Sequence, residues 1–255
     1  MSDLNLELYN TPHSTCSQKV RLCLWEKGLG WTDHHIDLAT NEHLTPNYLK
    51  INPNGVVPTL IHDGKLVHDS SVICEYLDEI APDPNLTPAD PHQRATMRAW
   101  MRFFEEVPTV AVRVPSFNMA FLPRFEGLGE EDFREMQSDI RPLRKQFYRR
   151  MGPDGFNAED FEAALEQIVN TCRRMEGALS NGGPWLLGEA YTLADVIGAP
   201  LIDRMEDLGF SYLWEEDFPA MTAWFARMKD RPAFQETFFP LTRLSEKHDL
   251  AGPTY

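Results

Sequence analysis

A proline where a core strand should run is the strongest constraint on this chain. Residues 56–60 read Val-Val-Pro-Thr-Leu, the β-branched, apolar composition of a strand packed in a core. Pro58 has no N–H to give a neighbouring strand, so it belongs at a strand start, an edge or a bulge. Asn54-Gly55 just before it is a turn signal. Together these predict a strand entered through a tight turn, with Val57–Pro58 a candidate cis peptide. The N–H and C=O of Val57 would then point out of the sheet, where an extended peptide could pair with them as an added strand. Asp63-Gly64 predicts a hairpin. Asp69 and Ser70 then open a helix, with Val72, Ile73, Tyr76 and Leu77 at helical spacing. Free N–H groups at that helix start favour a ligand carboxylate, while Asp69 favours a cation. The stretch from Asn52 to Leu77 is shaped for a small zwitterion with peptide character.

The surrounding chain supplies an α/β frame. Leu4 to Tyr9 alternates as a strand, and Asn10 to His13 is a loop. Ser14-Thr15-Cys16-Ser17 leads into a helix from Gln18 to Lys27 that Gly28 stops. Trp31 to Leu38 predicts a second strand parallel to the first, and Thr40 to Ile51 an irregular stretch or short helix. With the proline strand, its hairpin partner and the helix after it, this order is thioredoxin-like. From Ala81 to Pro91 four prolines interrupt any periodicity, which marks a linker. Helical patterns follow over His92 to about Val114, Glu130 to Arg150, Ala158 to Leu179, Leu193 to Leu208, Phe218 to Lys229 and from Ala233. The expected organisation is a thioredoxin-like α/β domain over 1–81, a linker over 82–91 and an all-α helical bundle domain over 92–255. Thr192-Leu193-Ala194-Asp195 is shaped like a capping box, with Asp in place of the usual Glu or Gln.

A net charge of −15 and a pI near 4.9 argue against nucleic acid and against anionic membrane surfaces. The start, Met1-Ser2-Asp3-Leu4, carries no basic or apolar leader pattern, and no apolar run is long enough to span a membrane. The four cysteines form no Cys-x-x-Cys pair, so neither a zinc nor a dithiol motif is expected. Cys16 and Cys23, seven apart on a predicted helix, lie about 10 Å apart by helical rise and cannot bridge. Cys23, Cys74 and Cys172 read as small core residues. The pattern fits a reducing compartment, with a cytoplasmic location expected.

Val57-Pro58 followed by Asp69-Ser70 resembles the glutathione transferases. The resemblance implies glutathione as co-substrate, its cysteinyl backbone paired at Val57–Pro58 and its γ-glutamyl end held by Asp69 and Ser70. It also implies that Asp195 caps a buried core helix, that the electrophile binds between the domains, and that the protein is a homodimer. Closed two-fold pairing is in any case the commonest soluble assembly. Ser14-Thr15-Cys16-Ser17 is similar to the opening of the serine-type zeta and theta classes, which places the thiol-activating hydroxyl on Ser14. A hydroxyl at a helix N-terminus would favour the thiolate by hydrogen bond and dipole. Cys16, in register with the cysteine of beta-class enzymes, is the main alternative, with Ser17 and Thr15 also open. For Ser17 the plain reading is a helix cap, and Tyr9 reads as core. His43, like a similar residue in theta-like members, is a candidate for the glycine carboxylate, with Lys50 and Asn54 as alternatives. A solvated loop histidine is the plain reading of His43.

Thr11, Pro12, His13, Trp100, Phe103, Phe104, Val107, Val110 and Val112 are the expected walls for a hydrophobic aromatic electrophile, some of them simply core. Pro108 and Pro115 should bend or end their helix, and Phe117, Met119, Phe121 and Phe125 could roof the pocket. Lys50 to Gly55, His62 to Lys65, Val72 to Leu77 and Pro88 to Pro91 resemble bacterial β-aryl etherases. The Thr15-Cys16-Ser17 approach departs from the Asn-Ser type of those enzymes and looks zeta-like. Three readings follow: an enzyme using the glutathione thiolate as nucleophile, a thiol–disulfide exchanger through Cys16, and a non-catalytic ligand-binding protein. The intact Ser14, Pro58 and Asp69-Ser70 set favours the first.

Overall fold

The computed structural model describes residues 4–125, 127–136, 145, 147, 149–248 and 250. Among them one four-stranded mixed sheet forms, in the order β2-β1-β3-β4. Strand β1 (Leu6–Asn10) runs parallel to β2 (Thr32–His35) and antiparallel to β3 (Thr59–His62), which pairs antiparallel with β4 (Lys65–His68). Leu6, Leu8 and Leu60 are buried, as period-two alternation requires of a sheet packed against helices. Strand β2 is shorter than the predicted Trp31 to Leu38. Ile36 N–H still reaches Asn10 O, but β1 ends there, and the Asp37 carboxylate turns the chain by accepting from the N–H groups of Ala39 and Thr40. The β3–β4 hairpin closes on Asp63 and Gly64, both at positive φ (50° and 76°), the signature of a primed two-residue turn.

Helix α1 (Thr15–Glu26) follows β1, α2 (Pro46–Ile51) follows a 3-10 turn at Glu42–Leu44, and α3 (Ser70–Ile80) follows β4. Residues 81–90 hold neither helix nor strand, and α4 (Pro91–Glu106) begins after them. The single helix predicted to run to Val114 is broken. Pro108 has no N–H to continue the ladder, so α5 (Pro108–Ala111) and α6 (Arg113–Ser116) are separate short helices, followed by a π turn at Phe117–Phe121. The helix predicted over Glu130 to Arg150 is seen as α7 (Glu130–Met136), and residues 137–144, 146 and 148 of it lie outside the described residues. Helices α8 (Ala158–Leu179), α9 (Leu193–Asp207), α10 (Pro219–Lys229) and α11 (Pro232–Thr237) complete the helical part.

Helix α9 is buried along most of its length, so it is apolar all round rather than on one stripe. Gly198 lets it approach α4: a Cβ there would sit 2.8 Å from Phe104 Cζ. Its start is the predicted capping box. Asp195 accepts from Thr192 N (3.0 Å), Leu186 N (3.0 Å) and Trp224 Nε1 (2.9 Å), which satisfies a fully buried carboxylate. Burial raises its pKa while those hydrogen bonds hold it down.

Helix α1 lies between the sheet and the helical part, packed on α3, α9 and α11. Water reaches little of it, so its polar side chains need protein partners. Lys27 Nζ meets Asp78 Oδ1 at 2.5 Å and also the carbonyl of Pro84; both charged side chains are essentially out of water. Asp78 also accepts from Leu86 N at 3.0 Å, which ties the linker to α3. Lys19 Nζ meets Glu105 and Thr109, each at 2.8 Å. Glu26 holds Arg231 (2.6 and 2.7 Å) and Tyr191 (2.9 Å). Breaking a buried pair leaves a charge without compensation, at a cost of about 3–5 kcal/mol, whereas removing both partners together is often neutral. Asp78→Ala is therefore expected to lower unfolding stability in urea by roughly that amount. The double variant Lys27→Met/Asp78→Leu is expected to recover most of the loss.

Candidate active site

A cleft of about 780 Å³ opens where the β1–α1 loop, the proline turn and the start of α3 face α5, α6 and the C-terminal segment. Ser14 is the N-cap of α1: its Oγ accepts from Ser17 N at 3.4 Å, and it lines the cleft with Thr15 and Cys16. Ser17 does not line it. Its hydroxyl is buried and accepts from Thr11 N at 3.3 Å, so the cap role belongs to Ser14 and the Ser17 alternative loses its support. Cys16 is a free, half-buried thiol on the cleft wall. Tyr9 packs beside Ile36, Tyr48 and Val57, stacks on His34 and stays out of the cleft.

Across from Ser14, Val57–Pro58 is cis and lines the cleft. The turn before it is built by Asn52, whose Nδ2 donates to Val56 O and Thr59 Oγ1, both at 3.0 Å. Tyr48 OH also donates to Val56 O, at 2.8 Å. With the Val56 carbonyl so held, the backbone N–H and C=O of Val57 take no hydrogen bond among the described residues. Asp69 stands at φ 73°, a region L side chains rarely occupy, at a cost of about 1–3 kcal/mol. Its Oδ1 accepts from Ser71 N (3.0 Å), Val72 N (3.3 Å) and Ser71 Oγ (2.7 Å). That capping leaves the N–H of the next residue, Ser70, without a described partner, beside a serine hydroxyl on the cleft wall. His43 is buried and lines the same end, whereas Lys50 and Asn54 are exposed and do not.

The opposite half is apolar, with Val110, Val112, Phe117, Ala120, Phe121 and Phe147 on its walls. Of the predicted walls, His13, Val110 and Val112 are there; Thr11, Pro12, Trp100, Phe103, Phe104 and Val107 are not. Helical period turns Met97, Trp100, Met101 and Phe104 into the core, and Arg174 stacks over Trp100 and Phe103. Thr11 is buried and donates to Ile36 O. Met119 and Phe125 are buried beneath the roof they were expected to form.

Among the lining residues that carried no sequence signal are Asp37, Glu105, Arg113, Arg204, and the pair Lys247 and His248. The last two come from an irregular segment latched to α9. Arg243 pairs with Asp203, and Asp207 accepts from Leu244 N (2.7 Å), Ser245 N (3.1 Å) and Ser245 Oγ (2.5 Å). Burial pushes Asp203 up to about 6 against the pull of Arg243. Lys247 and Arg204 bring positive charge to the neighbourhood of His13. Burial first, then Lys247, Arg204, His248 and His35, lower the His13 pKa to about 3. Among the described residues no cluster of His, Cys, Asp or Glu could hold a metal ion, and no helix is long and apolar enough to cross a membrane.

The arrangement offers a strand-like edge and a helix start for a peptide-like anion, a hydroxyl at a second helix start, and an apolar chamber beside it. Residues 13–80 match the family profile of the glutathione S-transferase N-terminal domain, and residues 135–232 that of the C-terminal domain. The protein LigF of Sphingobium sp. (strain NBRC 103272 / SYK-6) is 31% identical, over 97% of this chain and 96% of its own. The crystal structure of beta-etherase LigF superposes with a TM-score of 0.81 at 32% identity, covering 92% of this chain and 98% of the other. The tetrachloro-p-hydroquinone reductive dehalogenase of Sphingobium chlorophenolicum is 26% identical over 90% of this chain and 94% of its own. A glutathione transferase homologue from Sulfitobacter, solved with bound glutathione, shares the fold at 24% identity, a TM-score of 0.67 and coverage of 91% and 96%.

Proposed function

The chain belongs to the glutathione S-transferase family, and we propose that it joins the glutathione thiolate to an aromatic electrophile, with cleavage of a β-aryl ether as the favoured reaction. The observation that carries this reading is the two-sided cleft. One side presents donors and a free strand edge for glutathione; the other presents an aromatic chamber for the electrophile. In this reading Val57 pairs with the cysteinyl backbone of glutathione, and the Ser70 N–H and hydroxyl take the γ-glutamyl carboxylate. Asp69 takes the ammonium, and His43 faces the glycine end. Ser14 Oγ donates to the sulfur and favours its ionised form. Residues 1–81 then act as the glutathione-binding domain and 92–255 as the electrophile domain, joined by 82–91. The protein works in a reducing cytoplasm, as a homodimer.

Chemically, the thiolate displaces an aryl oxide from the carbon beside a ketone. The ketone activates that carbon, and holding both reactants in one cleft removes much of the entropic barrier. LigF, by the name of its structure a beta-etherase, supports this substrate class, and the dehalogenase supports aromatic electrophiles in general. The exchange reading through Cys16 keeps one observation in its favour, a free thiol on the cleft wall.

Ser14→Ala is expected to lower kcat about a hundredfold with little change in glutathione affinity, because its hydrogen bond acts on the sulfur. Ser70→Ala is expected to weaken glutathione binding about tenfold by calorimetry. Cys16→Ala should retain most activity; loss there, with a mixed disulfide on Cys16 by mass spectrometry, would transfer the role to the thiol. Incubating an α-keto aryl ether with glutathione and the enzyme is expected to release a phenol and a glutathione thioether in equal amounts. Conjugation of a halogenated aromatic without any phenol from the ether would leave a transferase and remove the etherase assignment. Light scattering at micromolar concentration should give twice the 29.3 kDa chain mass; a monomer throughout would refute the dimer.

A further inference from the structure

His13 stands one residue before Ser14 and is held firmly. Its carbonyl accepts from Arg204 Nη2, and Arg204, itself buried, also donates to Ser116 Oγ at 3.3 Å. The ring faces Phe121, centroids 6.2 Å apart, on the boundary between the Ser14 end of the cleft and its apolar chamber. Its two nitrogens are in different surroundings. Nδ1 is buried with no hydrogen-bond partner, whereas Nε2 is not among the buried unpartnered atoms and the ring lines the cleft. A proton on a nitrogen with no acceptor would be a wasted buried donor, so the proton of the neutral ring belongs on Nε2. The ring stays neutral because burial and the positive charges around it oppose a second proton. For the same reason it is too weak a base to take the proton of a thiol. What remains is an N–H donor on a ring that lines the cleft, beside Arg204 and Lys247, whose charges favour an anion.

We propose that His13 donates a hydrogen bond from Nε2–H to the aryl oxygen of the electrophile and stabilises the negative charge which that oxygen gains as it leaves. This rests on the reading of the site as one where the glutathione thiolate displaces an aryl oxide. The sulfur lone pair forms the C–S bond. The C–O bond breaks with its electron pair kept by the aryl oxide, and water protonates the released phenoxide. His13 keeps its proton throughout. A preorganised neutral donor of this kind costs no reorganisation when charge develops, and a neutral imidazole serves where an imidazolium cannot persist.

The test is a series of α-keto aryl ethers that differ in the acidity of the departing phenol, assayed with wild type, His13→Phe and His13→Asn. For poor leaving groups His13→Phe is expected to lose roughly a hundredfold in kcat/KM, and for a nitrophenoxide about fivefold or less. His13→Asn, which keeps an N–H donor, is expected to restore part of the loss, and the affinity for glutathione should be unchanged in both. A loss equal across the series, or a shift in the thiol ionisation of bound glutathione read at 240 nm, would place His13 on the sulfur and overturn the proposal. A second measurement needs no turnover. Bound 4-nitrophenol is expected to ionise at lower pH on the wild type than on His13→Phe, and equal ionisation on both would also overturn it. If no ether releases phenol from the wild type, the etherase reading fails, and the nitrophenol titration still decides the role of His13.

Discussion

The position of helix α1 governs this molecule, and buried charge fixes that position. Lys27 meets Asp78 with neither side chain in water, Lys19 meets Glu105, and Glu26 meets Arg231. Apolar burial would allow α1 to slide or turn against its neighbours, since the hydrophobic effect has no direction. A buried charge has direction, because any displacement that lengthens the pair leaves an ion without compensation. The three pairs join α1 to α3, to α4 and to the start of α11, so the sheet and the helical part share one reference axis. Ser14 caps that axis, and the site inherits its geometry.

The same economy appears at the second helix start. Asp69 uses one carboxylate oxygen, Oδ1, to cap α3 and takes an unfavourable φ to do so, and the Ser70 N–H has no partner among the described residues. Next to it the Val56 carbonyl is fixed by Asn52 and Tyr48, and the Val57 amide takes no hydrogen bond among the described residues. Two backbone donors thus take no hydrogen bond among the described residues. An unpaired backbone group in a half-buried cleft is costly unless something binds there.

The chamber wall arises from a broken helix. Without Pro108 the ladder of α4 would continue, and its inward face would keep packing on α9 as Trp100 and Phe104 do. The break redirects the chain, so that Val110, Val112 and Phe117 face the cleft instead. The C-terminal segment closes the other side, because Asp203 and Asp207 on α9 hold Arg243, Leu244 and Ser245 and bring Lys247 and His248 over the same space.

By itself the sequence determined what depends on local chemistry. The proline strand with its Asn-Gly turn, the Asp-Gly hairpin, the Asp69-Ser70 helix start and the Thr192-to-Asp195 box each carry their own backbone instruction in a few residues, and each is where it was expected. The order of elements along the chain and the helical character of its later part were legible for the same reason, through period and punctuation. Local chemistry could not say which aromatic residues face the cleft, since Trp100 and Phe121 are equally apolar and only packing against α9 separates them. Nor could it foresee the neutral state of His13, which depends on burial and on the charges of Lys247 and Arg204, up to 234 residues away along the chain. Burial and electrostatic fields are sums over neighbours in space, and those neighbours exist only once the chain has folded.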